Sequence, residues 1–417
     1  MESFLILWYT QNAYSNPGVW LIQVELSELT LDHKLARSVF RPNGEILLAA
    51  GYQLTAAVLK RLPEIEQNAF WVMQEGIDEM VLEETVSEQV CMQSINNLTQ
   101  NANQMRKELK SNQKSIHDIR TDMKDTGRFH NIIAVDSIQN SATTIIKEIM
   151  QNDAAMLNLS GIRNQSNYVF QHSIESTIVA IMLGNKFGFN KYELEELALG
   201  CLLMDTGYLV MPNKLVNSPN RVSFQEYCLL KEHPNYGYTI LKENPKLPLI
   251  SAHVAYQHHE RQDGGGYPRR LKGHNAPPIK RSMTQKRIIH RYAEIAAVAE
   301  TYVELNSPRP HLPKKSPEEI IKILIKASGS ELNQSIVDTL ITLIPIYPTG
   351  SRIVIIQAPE KKLIGCVGVV SKANSKNYSR PTIYITHTKN KDPIPPKRIN
   401  LEEYPEIKIQ FKVLGSS

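Results

Sequence analysis

The sequence predicts a mainly α protein: a long helical core, with a small α+β module before it and a small β unit after it. Three observations predict this. No proline interrupts the chain between Pro63 and Pro212, and an interior proline removes a helix hydrogen bond and clashes with the preceding turn. From about residue 130 to about residue 345, apolar residues recur three or four apart, which is the spacing of one helix face. Beyond Tyr347-Pro348 the pattern changes to the alternation of half-buried strands.

Taken in order, residues 1–20 read as an N-terminal extension. The apolar run Phe4 to Tyr9 ends at Gln11 and Asn12, far short of the ~20 residues that a membrane span needs, and no basic flank marks a signal peptide. Residues 21–82 read as a small α+β module. Two strands flank a Pro42-Asn43-Gly44 turn, since Asn-Gly suits a tight hairpin. TAAVLKRLPEI follows with helical spacing and Thr55 as its cap, and then comes a short strand at FWVMQ.

Residues 83–150 read as a helical connector. Its first part, 83–126, is polar, with Val86, Val90, Ile95, Leu98, Met105 and Leu109 at wide helical spacing. That pattern fits a connecting helix or a dimerising pair, and equally a solvated helix packed on its own domain. Residues 151–345 hold helix after helix: IVAIMLGNKFGF, ELEELALGCLLMDTG, FQEYCLLKEH, AEIAAVAETYVEL and SPEEIIKILIKA, the last opened by Ser316 with Pro317 at the first helical position. Residues 346–417 supply the strands SRIVIIQ, LIGCVGVVSK, RPTIYITH and EIKIQFKV. Between them Lys389, Lys391, Lys397 and Arg398 sit among polar residues and prolines and read as solvated turns.

At 417 residues the chain is too long for one ordinary core. Its 42% hydrophobic and 21% charged residues are usual for a soluble globular protein, and a net charge of +5 is too weak to predict nucleic-acid binding. Cys91, Cys201, Cys228 and Cys366 form no C-x-x-C pair, which argues against a disulfide framework or a thiolate zinc site and predicts a cytoplasmic protein.

The chemistry is concentrated at His258 to Pro268, HHERQDGGGYP. Two adjacent imidazoles suit metal ligation. Gly264, Gly265 and Gly266 permit positive φ and close backbone approach, and Tyr267-Pro268 stiffens the exit. Further candidate ligands are His172, Asp205 and His233 upstream and Glu300 downstream. An aspartate at the end of an apolar helix is costly unless it is paired, which favours a ligand role for Asp205. His253, His274, His290 and His311 read as structural or exposed.

Over roughly residues 160–350 the chain resembles the HD-GYP family, a branch of the HD metal-dependent phosphohydrolases. HHERQDGGGYPRRLKG fits the family's HHE-x-x-DG-x-GYP-x-x-L-x-G pattern without a gap. HSIEST at His172, LLMDTGYLVMP, KEHPNYG at His233, AAVAETYVEL and SPRP with Arg309 follow the family's other landmarks in order, and the 21–82 module is similar to one often attached to this family. The resemblance implies an all-helical HD-type core that hydrolyses cyclic di-GMP to the linear dinucleotide or GMP, with one or two Fe or Mn ions. In this implied arrangement Asp205 is catalytic and bridges two metals. His172 and Glu300 belong to one metal, and His233, His258 and His259 to the other. Asp263, Gly264, Gly266, Tyr267 and Pro268 form the Gly-Tyr-Pro loop, and Arg309 and Tyr208 face substrate. A second expectation is a non-catalytic cyclic di-GMP effector, or a docking protein that uses this loop to bind a GGDEF-type or other signalling partner; a homodimer is a separate expectation.

Several residues depart from the family pattern. Met204 stands where the HD histidine is expected, and a thioether is a poor ligand for hard Fe or Mn ions. Tyr208 replaces a lysine and so removes a cation that would hold a phosphate. Glu300 replaces an aspartate, Tyr168 a glutamate, and Leu312 a basic residue, while Val303 and Glu294 replace an Asp and an Arg. IKRSMTQKRIIHR, between Pro278 and Tyr292, is a basic insertion that fits either a solvated loop or a contact with an acidic partner.

Overall fold

The computed structural model describes residues 19–411 apart from 41–45, 65–68, 76–84, 111–114, 125, 130–131, 153–156, 158–167, 217, 219–221, 281–286, 308–314, 375–376, 378 and 391. Arg309, His311 and Leu312, the Pro42-Asn43-Gly44 turn, the 1–18 extension, Lys391 and much of the basic insertion therefore lie outside the described residues. The chain divides into two compact units, one of residues 1–84, 163–166 and 344–417, the other of 85–162 and 167–343.

In the first unit, β1 (Val19–Glu25) pairs antiparallel with β5 (Ala69–Glu75), and β2 (Lys34–Leu35) lies on the other edge of β5. Strands β3 (Val39–Phe40) and β4 (Ile46–Leu48) form a separate two-stranded ladder. Helix α1 (Ala56–Arg61) starts where the Thr55 hydroxyl accepts the Val58 N–H, as its sequence predicts. Leu35, Val39, Leu54, Leu62 and Phe70 fill the core beneath.

The same unit holds a five-stranded antiparallel sheet: β6 (Arg352–Gln357), β7 (Val367–Lys372), β8 (Thr382–His387), β9 (Pro393–Asn400) and β10 (Lys408–Phe411), in the order β10-β6-β7-β8-β9. Strand β9 corrects the sequence reading, because Lys397 and Arg398 lie in a strand and not in turns. Pro393, Pro395 and Pro396 hid it. Proline cannot donate to a ladder, so such a strand is tolerated at a sheet edge, where β9 lies. Val24 and Val72 from the first module pack with Val369 and Tyr384 from this sheet, so the two ends of the chain share one apolar cluster.

The second unit is helical: α2 (Glu88–Leu109), α3 (Ile116–Asp122), α4 (Val135–Gln151), α5 (Tyr168–Lys186), α6 (Lys191–Leu203), α7 (Asn213–Val216), α8 (Phe224–Leu230), α9 (His233–Lys242), α10 (Leu249–Gln257), α11 (Arg291–Asn306), α12 (Pro317–Ala327) and α13 (Gln334–Ile341). Capping boxes at Ser115/Asp118, Asn190/Glu193, Ser223/Glu226 and Ser316/Glu319 start four of them, each side chain satisfying the other residue's backbone N–H. The polar stretch read as a connector packs on its own unit. Ile95, Leu98, Ala102 and Met105 of α2 are buried, as are Ile138, Ala142 and Ile145 of α4. Asn97 donates to Ser141 Oγ at 2.9 Å and Asn101 to Ser137 Oγ at 2.9 Å between those two helices. Wide apolar spacing with amides between it produced the mixed interface. Among the described residues no helix is long and apolar enough to cross a membrane.

Candidate metal centre

Five segments of the helical unit bring the six candidate ligands together. His172 lies in the first turns of α5, ahead of the fully buried Ile174 and Ile181. Asp205 follows the end of α6 and precedes the 3-10 turn Thr206–Val210. His233 opens α9, His258 and His259 follow α10, and Glu300 lies within α11. A Cβ on Gly207 would clash with the His233 carbonyl and come within 2.8 Å of Gly237 N, so only glycine lets the Asp205 turn lie against the start of α9.

His258 is shared by two sets of donor atoms. His233, His258 and His259 form one set and Asp205, His258 and Glu300 the other, and the donor atoms within each lie within 4.8 Å of one another. His233 Nε2 is 3.2 Å from His258 Nε2 and 3.8 Å from Asp205 Oδ1. His172 Nε2 is 3.9 Å from Glu300 Oε1.

The backbone sets the tautomers. His233 Nδ1 lies 2.8 Å from the Leu230 carbonyl, and His258 Nδ1 lies 3.0 Å from the carbonyl of Ala255. A carbonyl only accepts, so each Nδ1 carries the proton and donates, and in the neutral ring each Nε2 is left with a lone pair. Two lone pairs 3.2 Å apart repel, and a cation between them turns that repulsion into ligation. The donor set, four imidazoles and two carboxylates without a thiolate, fits a hard or borderline divalent cation.

Charge in the pocket follows from burial. Burial raises the Asp205 carboxyl to about 6, against the pull of His172 and with a further push from Glu304. Burial also raises Glu300, while His258 and His172 draw it down. His233 is held well below the usual histidine value by burial and by the neighbouring His258. His259 is likewise lowered by burial, then by His258, His233, His172 and Lys231. His172 goes the other way. Burial opposes its proton, but hydrogen bonding and attraction from Glu300, with Asp205 and Glu304 behind it, bring it to about 8.

Two tyrosines form one wall. The Tyr208 ring stacks on His233 with centroids 4.0 Å apart and planes at 21°, and the Tyr267 ring stacks on His259 at 4.8 Å and 24°. Burial, followed by nearby carboxylates, raises both phenols above their ordinary value, so both keep their protons. Met204, beside Asp205, is fully buried.

The Gly-Tyr-Pro loop is held from below by residues that sequence reasoning passed over. Glu260 accepts the N–H groups of Arg269 at 2.7 Å and Leu271 at 2.8 Å. Gln262 donates to the buried Glu294 at 3.0 Å and accepts from Asn275 N at 3.1 Å, and Asn333 also donates to Glu294. Glu294, noted in the sequence only as a departure, is therefore an acceptor for two side-chain amides. The motif's own Glu260, with its oxygens at no candidate metal position, was a legible signal. Gly264 has φ +81°, and a Cβ on Gly266 would lie 2.5 Å from the His259 carbonyl, so the loop folds back on the histidine pair. The Tyr267-Pro268 bond is cis. Asp263 is not in the donor cluster: it accepts the Gly265 N–H at 2.7 Å and pairs with Arg261 at 2.7 Å. His290 caps α11 by accepting the Tyr292 N–H, and His253 lies 3.3 Å from the Gln257 amide nitrogen.

A family model described as an HD domain matches residues 157–336. The chain is 24% identical over 258 residues to a cyclic di-GMP phosphodiesterase of Pseudomonas aeruginosa, a match covering 62% of this chain and 57% of that protein. It is 24% identical over 196 residues to a 3'3'-cGAMP-specific phosphodiesterase of Vibrio cholerae, covering 47% of this chain and 34% of that protein. A third relative, a cyclic di-GMP phosphodiesterase of Thermotoga maritima, is 27% identical over 162 residues, covering 39% of this chain and 40% of the other. The matches thus span about a third to somewhat over half of the length of these relatives. Residues 157–336 thus match an HD domain, and the region around them is similar to cyclic di-GMP phosphodiesterases.

Proposed function

We propose that this chain is a metal-dependent phosphodiesterase that opens cyclic di-GMP to the linear dinucleotide or GMP, slowed by the loss of the HD histidine. The observation that carries the reading is the pair of Nε2 lone pairs 3.2 Å apart with the Asp205 carboxylate 3.8 Å from one of them. His233, His258 and His259 would hold one cation, Asp205, His258 and Glu300 the other, with His172 completing the second through Glu300. Bound divalent cations supply positive charge for the phosphoryl oxygens and acidify water at neutral pH.

The protein's own groups do the rest. His258 is common to the two donor sets and Asp205 lies 3.8 Å from His233, so these two residues would hold neighbouring cations, which would supply charge to the phosphoryl oxygens. Tyr208 and Tyr267 keep their hydroxyl protons and offer neutral hydrogen bonds to phosphoryl oxygens. Gly264 to Pro268 covers the histidine pair and limits the approach of bulk water. Met204 contributes no hard donor beside Asp205, and a weakened second cation lowers the rate by a few powers of ten, each ~1.4 kcal/mol being tenfold. Arg309 is proposed to face the substrate from outside the described residues.

Metal analysis combined with anaerobic hydrolysis of cyclic di-GMP by the Fe- or Mn-loaded protein tests the reading. The expected result is bound metal with slow conversion. A protein that takes up neither ion, or one that turns over only the mixed guanine–adenine dinucleotide, refutes it.

The second reading, a non-catalytic protein whose Gly-Tyr-Pro loop docks a GGDEF-type partner or a second copy of the chain, draws support from Met204. It also draws on the partly exposed ion pairs of Arg261 with Asp263 and Glu331 on that loop. Metal-independent capture of a GGDEF-type protein by a chain that hydrolyses nothing would favour it.

A further inference from the structure

We propose that Lys231 is the cation that binds a phosphoryl oxygen of the substrate at the mouth of the donor cluster, a role that the phenol at position 208 cannot fill. This inference rests on the phosphodiester reading above. Three observations support it.

The first is position. Lys231 caps α8 two residues before His233, with its N–H 3.1 Å from the Tyr227 carbonyl, so the turn that places the metal-ligating imidazole also places the ammonium. The second is how the ammonium is held. Its nitrogen sits 4.3 Å from the centre of the Tyr267 ring and 5.8 Å from that of Tyr227. Tyr267 in turn stacks on His259, so a single ring separates the charge from the donors.

The third observation is its lack of a carboxylate. Arg261 in this loop and Arg291 at the start of α11 pair with Asp263 at 2.7 Å and with Glu193 at 2.6 Å. Among the described residues no carboxylate lies within ion-pair distance of Lys231. Ring faces hold a half-exposed ammonium by only ~0.5–1 kcal/mol, which is weak enough to yield to a phosphate. An ammonium has three donors and no directional fork, which suits a single non-bridging oxygen. Tyr208, its ring flat on His233, can offer a neutral hydrogen bond there but supplies no positive charge.

The test uses the full chain loaded with Mn, titrated calorimetrically with cyclic di-GMP and, separately, with inorganic phosphate. Lys231→Met is expected to weaken both by roughly 10- to 100-fold, the worth of one charge-assisted hydrogen bond. It should also flatten the ionic-strength dependence and leave metal content unchanged, and Lys231→Arg should recover most of the affinity. If wild type binds cyclic di-GMP and Lys231→Met binds it equally, the role of Lys231 is overturned while the proposed function stands. A variant that loses metal overturns the role as well, since the lysine would then serve the scaffold. Lys231-dependent phosphate uptake without cyclic di-GMP binding supports the residue and refutes the substrate. Wild type that binds neither ligand overturns both.

Discussion

His172 makes the stability of the metal-free protein fall as pH rises just above neutrality. The imidazole is buried 3.9 Å from Glu300, and the balance of burial against that carboxylate puts its folded value at about 8, above the ordinary 6.5. A group with a raised folded value contributes stability that is fully present below 6.5 and is lost as pH climbs through 8. The gap corresponds to roughly 2 kcal/mol in full, of which about 1 kcal/mol falls between pH 7 and pH 9. For a unit of this size that is a drop in Tm of about 2–4 °C.

Several other groups of the site titrate outside this window. Asp205, at about 6, is already charged at pH 7, His233 and His259 have lost their protons below it, and burial pushes the Cys201 thiol and both wall tyrosines above it. The assay is thermal unfolding of the chelated protein followed by far-UV circular dichroism, which is dominated by the helical unit. Trp20 and Trp71 lie in strands β1 and β5 of the other unit, so their fluorescence follows its transition. His172→Gln should flatten the profile. Added Mn should reverse its slope, because a metal ligand must be deprotonated and metal then competes with the proton. A chelated wild type without the fall, or a His172→Gln variant that retains it, would refute the pairing of His172 with Glu300.

His258→Asn should lower the content of both metals, since both donor sets share that ring, whereas His259→Asn and Glu300→Gln should each lower one; equal losses in all three by elemental analysis would sink the two-set arrangement. Gly207→Ala should cost about 1–3 kcal/mol and reduce metal uptake together, because the new methyl pushes the start of α9 and His233 away; unchanged melting would show that the close approach is not required. Met204→His should add bound metal and raise turnover at least tenfold, and pairing it with Tyr208→Lys should raise it further. A double variant that binds no additional metal would mean that position 204 does not face the donors. Glu260→Gln removes one charged acceptor beneath the loop and should destabilise it by about 1–3 kcal/mol, read as faster amide exchange at Arg269 and Leu271.

Much of the architecture was legible in the sequence because it is encoded locally. Thr55, Ser316 and the capping-box glutamates start helices by bonding to N–H groups within three residues, and the apolar periodicity of α5, α6 and α11 needs no distant partner to be read. The HHERQDGGGYP loop was likewise visible, since glycine at a positive φ and adjacent imidazoles are properties of neighbouring residues. Strand β9 was not, because its prolines are acceptable only at an edge, and an edge exists only once the other four strands are in place. Nor could sequence show that Val24 meets Val369, that α2 packs against α4, or that Glu294 answers Gln262 and Asn333.

The sequence by itself determined which atoms could serve as ligands and the residue types around them. Only tertiary structure decided that His258 would be common to both donor sets, that backbone carbonyls would turn two Nε2 lone pairs toward each other, and that the Lys231 ammonium would stand one ring from His259. Those features depend on where separate helices end in space, and helix ends are placed by the packing of the whole unit and not by the few residues around each donor.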